Sequence, residues 1–331
     1  MHGLVERIQQ GDVQAASRLI SLVEDRLPEG REAMKALFKL TGRARVIGIT
    51  GPPGAGKSAL VDQLTRLYRK GGKTVGIVAI DPSSPFSGGA LLGDRIRMSR
   101  HSADEGVFIR SMASRGTHGG VARTTAEAVH VMDALGRDVV LVETLGVGQE
   151  EVAVAALSDF TVVVLQPATG DEIQMMKAGI MEVGTLYVVN KADLPGAGET
   201  ARAIREMLDR SGSPPVGIPE GYEDERVFQT VATTGQGVGA LYEALGAMQA
   251  HLHSKPEALA ERRKARLREN FRALLLEEVG GRLWSRLERT GRLNDWIGAL
   301  MDRSKDPYSL VDEVLERLNG HWPTGEEVIG S

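Results

Sequence analysis

Gly51-Pro52-Pro53-Gly54-Ala55-Gly56-Lys57-Ser58 spells the pattern G-x-x-x-x-G-K-[ST]. Small residues let such a backbone curl around an anion, so that its N–H groups and the following helix N-terminus face phosphate oxygens. In that chemistry Lys57 reaches the β- and γ-phosphates and the Ser58 hydroxyl ligates Mg²⁺. Gly51, Pro52, Gly54, Ala55, Gly56, Lys57, Ser58 and Ala59 are the expected contacts. A glycine turn could carry similar letters, but Arg45-Val46-Ile47-Gly48-Ile49-Thr50 reads as a buried strand and Ala59 to Leu64 has helical spacing. Strand, glycine loop and helix are the context the motif requires, so the chain is expected to bind a nucleoside triphosphate.

The base is read further along. After the strand ending at Val189 comes Asn190-Lys191-Ala192-Asp193, an N-K-x-D pattern. A carboxylate at Asp193 would accept from guanine's N1–H and exocyclic amine, which adenine does not offer in that arrangement. Lys191 would lay its stem along the base, and Asn190 would tie this loop to its neighbours. Ala232-Thr233-Thr234-Gly235 follows the last strand, and a backbone N–H at Ala232 or Thr233 would face the base's O6. The competing reading of the motif is a surface turn. GTP and GDP are the expected nucleotides.

Catalysis and metal binding need acids at strand ends. Asp138-Val139-Val140-Leu141-Val142-Glu143 is an apolar strand ending in a carboxylate, suited to hold Mg²⁺ directly or through water. Glu143-Thr144-Leu145-Gly146 resembles the D-x-x-G switch of G proteins with glutamate in place of aspartate, and the Gly146 N–H would meet the γ-phosphate. Val147 stands where many G proteins keep a water-orienting glutamine, which predicts slow hydrolysis without a partner. A second strand ends at Asp81 and opens into a Gly-, Ser- and Pro-rich segment to Asp94, a composition that suits a switch loop. Lys57, Glu143, Asp81 and Gly146 are the candidate catalytic residues. Ser58, Asp81, Asp94 and Glu143 are the candidate metal ligands. Asp81 also reads as a turn residue, and Asp94 equally well as a helix N-cap with Arg97 one turn on.

These residues need a scaffold, and the spacing of apolar residues supplies one. Strands are predicted at Val46–Thr50, Thr74–Ile80, Val107–Ser111, Asp138–Val142, Thr161–Leu165, Thr185–Val189 and Val227–Ala232, alternating with amphipathic stretches. Continuous apolar runs such as Thr161-Val162-Val163-Val164-Leu165 suit strands covered on both faces. The fold class is α/β, a doubly wound, mainly parallel P-loop sheet. Helical spacing over Leu4–Leu27, interrupted at Gly11-Asp12, predicts two helices, with a further arm through Ala33 to Leu40. Beyond Pro256 the strands stop. Leu267, Phe271, Leu274, Leu275, Val279 and Leu283 form an apolar stripe, while Arg262, Arg263, Lys264, Arg266, Arg268 and Arg272 crowd the start. Intervening glutamates favour a solvated helix used for packing or dimerisation over a nucleic-acid grip. The expected division is 1–42, an N-terminal helical extension; 43–253, the nucleotide-binding domain; and 254–331, a helical dimerisation arm.

Composition sets the remaining bounds. At 331 residues with 42% hydrophobic and 25% charged residues, the chain can bury a large core, and its net charge of −4 offers no global attraction to nucleic acid. Zero cysteines exclude disulfides and thiolate metal sites. No stretch has the length of an apolar membrane span, and Met1-His2-Gly3-Leu4-Val5-Glu6-Arg7 lacks a signal peptide's apolar core. A cytoplasmic protein with no nucleic-acid or membrane partner is expected. Only His251 and His253 lie near each other, at a spacing that does not share a helical face, which argues against a nickel-type metal-insertion GTPase. His118, in a glycine loop, reads as exposed.

With the residues placed, the chain resembles the MeaB/ArgK family of G proteins, which includes the methylmalonic aciduria type A protein. The likeness is carried by Gly48 to Ser58, Ile80-Asp81-Pro82-Ser83-Ser84-Pro85, Gly93-Asp94-Arg95-Ile96-Arg97-Met98, Val142 to Gln149 and Val189 to Asp193. The resemblance implies a homodimeric GTPase chaperone for an adenosylcobalamin-dependent acyl-CoA mutase, typically methylmalonyl-CoA mutase, with GTP hydrolysis gating cofactor loading, protection or reactivation. It also implies a switch III over Gly170–Gly179 with Lys177 as its lysine. Met175-Met176-Lys177-Ala178 departs from the family's Gly-Ile-Lys-Lys there, and Glu150 stands where a serine is usual. A kinase linked to arginine/ornithine transport is the rival expectation, against which the N-K-x-D motif argues.

Overall fold

The computed structural model describes residues 2–82, 101, 103–114, 120–144, 150–167, 184–210 and 226–319. Asp94, His118, Gly146 and the expected switch III, 170–179, lie outside them. Seven strands form one sheet: β1 Arg45–Thr50, β2 Val75–Pro82, β3 Val107–Ser114, β4 Val139–Thr144, β5 Phe160–Leu165, β6 Leu186–Asn190 and β7 Val227–Thr230. Their order is β3-β2-β4-β1-β5-β6-β7, and every neighbouring pair is parallel. All seven predicted strands are present, with no end shifted by more than three residues. β1 lies between β4 and β5, where the strand order changes direction. In an open α/β sheet, ligands bind at the carboxyl ends of the strands beside such a point.

Period-two alternation assigns each side chain to a face. Ile47 and Ile49 of β1, Leu141 of β4 and Val188 of β6 enter one apolar cluster with α4 (Lys57–Lys70) and the helix Val238–Ser254. Val46, Val140 and Val142 enter a second cluster on the opposite face. Its other side is built by α1 (His2–Gln9), α2 (Val13–Glu24), α3 (Pro28–Leu37), α5 (Gly120–Ala134) and α6 (Glu150–Leu157). A third cluster joins β5 and β6 to α7, Ala197–Arg210. Counting by twos along β4 and β6 then puts Glu143 and Asn190 on the α4 face. A register slip of one residue would send both to the wrong side.

The N-terminal helices share a core with the sheet. Where two helices and a further arm were expected there are three and a short 3₁₀ turn, Phe38–Leu40. Asp12 ends the first break by accepting from the Gln14 and Ala15 N–H groups at 2.9 and 3.0 Å, an N-cap. Pro28 stands at the first position of α3, where its missing N–H costs nothing.

The chain divides into two compact units, Met1–Ala273 and Leu274–Ser331. The first contains α8 (Val238–Ser254) and about the first half of α9 (Pro256–Arg289). Within it the basic start of α9 does more than solvate a surface. Arg266 Nη1 donates to Asp159 Oδ1 at 2.8 Å and to the Leu157 carbonyl at 3.3 Å. The other Asp159 oxygen accepts from Val46 N–H at 2.8 Å. Arg262 lies over the Phe160 ring at 5.7 Å, and Arg263 donates to the Gly42 carbonyl. The second unit holds the end of α9, α10 (Arg292–Met301) and α11 (Pro307–Asn319), and exposes Trp284, Ile297, Met301, Tyr308, Val311 and Leu315.

Because Arg266 joins α9 to the carboxylate that also fixes the start of β1, Arg266→Ala is expected to destabilise the first unit by about 1.5 kcal/mol or more. Arg268→Ala, at an exposed position, serves as the control. Thermal unfolding reads the difference, and equal midpoints for the two variants would contradict the role given to Arg266.

Candidate functional site

The phosphate loop joins β1 to α4. Gly51, Gly54 and Gly56 have φ of 138°, 77° and 90°, values that side chains disfavour. Two of them are also sterically closed: a Cβ on Gly51 would meet the Val164 carbonyl oxygen at 2.0 Å, and one on Gly56 would meet Asn190 Nδ2 at 2.2 Å. The loop is therefore shaped by neighbours at β5 and β6 as well as by its own sequence. Lys57 opens α4, is only 5% exposed, and folds back so that Nζ donates to the Gly51 and Pro52 carbonyls at 2.7 and 2.9 Å. The ammonium is thus held at the loop that expectation gives to the phosphates.

One residue on, the Ser58 hydroxyl donates to Glu143 Oε1 at 2.6 Å. Glu143 is fully buried at the end of β4, and parity placed it on this face. Behind the pair, Thr50 and Thr144 hydroxyls meet at 3.0 Å between β1 and β4, a contact not anticipated from sequence. Ser58 and Glu143 together present hard oxygen donors beside the phosphate loop. Mg²⁺ takes one or two protein oxygens and completes its shell with waters and substrate phosphates, so this pair fits it. Asp81 lies near the end of β2, paired in register with Ala113.

The N-K-x-D motif follows β6. Asn190 is buried, and its amide has three partners: Nδ2 donates to the Ala55 carbonyl at 2.8 Å, while Oδ1 accepts from Thr230 Oγ1 at 3.0 Å and from Ala232 N–H at 2.9 Å. One side chain thereby joins the phosphate loop, the N-K-x-D loop and the loop after β7. Lys191 has φ 57°, and its Nζ donates to Gln166 Oε1 at 3.0 Å. Gln166 was missed by the sequence reading; a polar residue directly after the apolar run of β5 was its only signal. Asp193 is exposed on its loop, free of the sheet and available to a base. The loop after β7 is closed by a Val231–Gln236 bridge and by Gly237, where a Cβ would meet the Gln229 carbonyl at 2.1 Å. Ala232 is buried against Asn190 and Thr233 is exposed.

The structure therefore brings together the residues of the phosphate loop, Lys57, Ser58, Glu143, Asn190 and Ala232, at the carboxyl ends of β1, β4, β6 and β7. A parallel sheet with this loop, a buried carboxylate on the serine that follows the motif lysine and an N-K-x-D loop tied to the phosphate loop is the arrangement of a P-loop GTPase. Residues 16–288 match the family model described as methylmalonyl Co-A mutase-associated GTPase MeaB. The chain belongs to this MeaB family of GTPases. A Pyrococcus horikoshii protein named as a GTPase is 43% identical over 317 residues, covering 96% of this chain and 98% of that protein. The mitochondrial methylmalonic aciduria type A homolog of Mus musculus is 37% identical over 223 residues, 65% of this chain and 52% of that protein. A crystal structure titled LAO/AO transport system kinase shares the fold, with a TM-score of 0.71 and 24% identity over 96% of this chain and 97% of that one.

Adding one methyl group at Gly56 sets a Cβ against the Asn190 amide and strains a left-handed backbone. Gly56→Ala is expected to weaken GDP binding by about tenfold or more, read by isothermal titration calorimetry. Unchanged affinity would show that the close approach of loop and amide is not needed for binding.

Proposed function

We propose that this chain is a Mg²⁺-dependent GTP switch that gates adenosylcobalamin loading, protection or reactivation of an acyl-CoA mutase, with methylmalonyl-CoA mutase the leading client. The match of residues 16–288 to a family described as mutase-associated is the observation that supports the partner class. The kinase reading shares with its structural neighbour the fold alone.

In this reading Lys57 exchanges the Gly51 and Pro52 carbonyls for β- and γ-phosphate oxygens, and the N–H groups from Gly54 to Ala59 hold the remaining phosphate charge. Ser58 and Glu143 would hold the metal, with Asp81 and Asp94 in its coordination sphere or on its waters. Mg²⁺ held there would supply positive charge against the charge that develops on the transferring phosphoryl group. Asp193 accepts from guanine N1–H and N2, Lys191 covers the base, and an N–H of Ala232 or Thr233 faces O6. Water attacks the γ-phosphorus, the bond to the β,γ-bridging oxygen breaks, and GDP and phosphate leave. The Gly146 N–H is assigned to the γ-phosphate, so that its loss on hydrolysis is felt immediately before α6. Residues 1–42, 43–253 and 254–331 act as extension, G domain and arm. The exposed apolar side chains of 254–331 would pair two copies, and the protein would work in the cytoplasm.

Affinity capture from native lysate, with the protein held by a non-hydrolysable GTP analogue or by GDP, tests the partner. A cobalamin-dependent mutase recovered in one state in preference to the other is the expected result. Recovery in neither state would remove the chaperone claim and leave the GTPase.

A further inference from the structure

The nucleotide residues occupy the carboxyl ends of the strands. At the opposite, amino-terminal edge of the same sheet there is a cavity of about 810 Å³, within the first unit. Its walls come from the start of β1, the turns before β2 and β4, and one side of α4 and α8. The six residues of β1 separate it from the phosphate loop by about 20 Å at roughly 3.3 Å per residue. Its size falls in the range of small-molecule sites, about 300–1,000 Å³.

The chemistry of its walls is unbalanced toward donors. Arg43, Arg45, Lys73 and Arg137 all line it. Two of the three carboxylates there are already occupied. Asp133 accepts from the Gly42, Arg43 and Ala44 N–H groups, and Asp138 accepts from the Thr74 N–H and hydroxyl at 2.8 and 2.9 Å. Lys73 reaches Asp138 only at 3.5 Å. The third, Glu243, is exposed. Meanwhile Tyr68 and Arg45 lie against each other, and Arg137, whose Nη1 donates to the Glu105 carbonyl at 3.3 Å, keeps a buried Nε without a hydrogen-bond partner. Arg137 is only 8% exposed, so this donor lies deep in the wall rather than at a rim.

An unmet buried donor costs free energy that a bound acceptor recovers. Burial, reinforced by nearby Arg69, pulls the Arg137 guanidinium below its ordinary value, with Asp104 opposing, as a cation wanting further negative charge would be. Guanidinium and ammonium groups converging on one space suit a phosphate, whose oxygens accept from several forks at once. Tyr68 and Tyr242, edge to face at 5.0 Å, give the same cavity an aromatic wall for an organic portion.

We propose that this cavity is a second ligand site, distinct from the guanine-nucleotide site, that binds a small organic phosphate through Arg45, Lys73 and Arg137. Its position makes it a place where a metabolite could act on β1, β2 and β4 from the end opposite to the nucleotide.

Equilibrium dialysis of radiolabelled pyrophosphate against the full chain saturated with GDP tests this. One equivalent should bind, and should still bind in Lys57→Ala, where the phosphate loop is disabled. Lys73→Gln alters an exposed residue and should fold; it should weaken binding about tenfold. Gly246→Phe, at a helical position on the wall with open space beside it, should plug the cavity and abolish binding without removing a charge. No binding in the presence of GDP would overturn the proposal, as would binding indifferent to both variants. Equal displacement by citrate would overturn the assignment to phosphate.

Discussion

A single buried amide holds the nucleotide site together. Asn190 donates to the Ala55 carbonyl in the phosphate loop and accepts from Thr230 and from the Ala232 N–H beyond β7. Three loops that are far apart in sequence must each keep their place for those bonds to exist. The interaction is possible only because Gly56 lacks a Cβ, which would meet the same amide at 2.2 Å. The glycine of the G-x-x-x-x-G-K-[ST] motif and the asparagine of the N-K-x-D motif therefore meet in one contact. Removing such a group from a dry interior leaves its partners unsatisfied at about 1–3 kcal/mol each, so the geometry is strongly determined.

Strand parity carries the same constraint into the core. Val139 and Leu141 pack with α4, and the next residue on that face is Glu143, which accepts from Ser58. Leu186 and Val188 pack there too, and the next is Asn190. In each strand the apolar residues set the register that delivers the polar one at its end. Core packing and site chemistry are consecutive positions of one alternating pattern.

Much of this was legible in the sequence because it is locally written. The seven strands are apolar runs of the right length, the phosphate loop announces itself in eight residues, and Asn190 could be expected to tie loops together from its place in N-K-x-D. Contacts closed over long separations were not legible. Nothing near Arg266 signals that it meets Asp159, 107 residues away, so its basic segment read as a solvated face. Gln166 as the partner of Lys191 and the Thr50–Thr144 pair depend on which strands are neighbours, which spacing alone does not give. The cavity at the far edge was invisible for the same reason: its cations come from three separate places in the chain. Pro28 as the start of a separate helix was written locally, and the apolar rhythm across it hid the break.

The central claim is that Asn190 positions an N-K-x-D loop that reads guanine, so discrimination between bases is its most direct test. Displacement of a fluorescent GDP analogue by GTP and by ATP, in the presence of Mg²⁺, measures that discrimination. An adenine placed against Asp193 leaves a carboxylate without its two donors, and GTP is expected to displace the probe at a concentration lower by about a hundredfold or more. Displacement by ATP at a similar concentration would contradict the account.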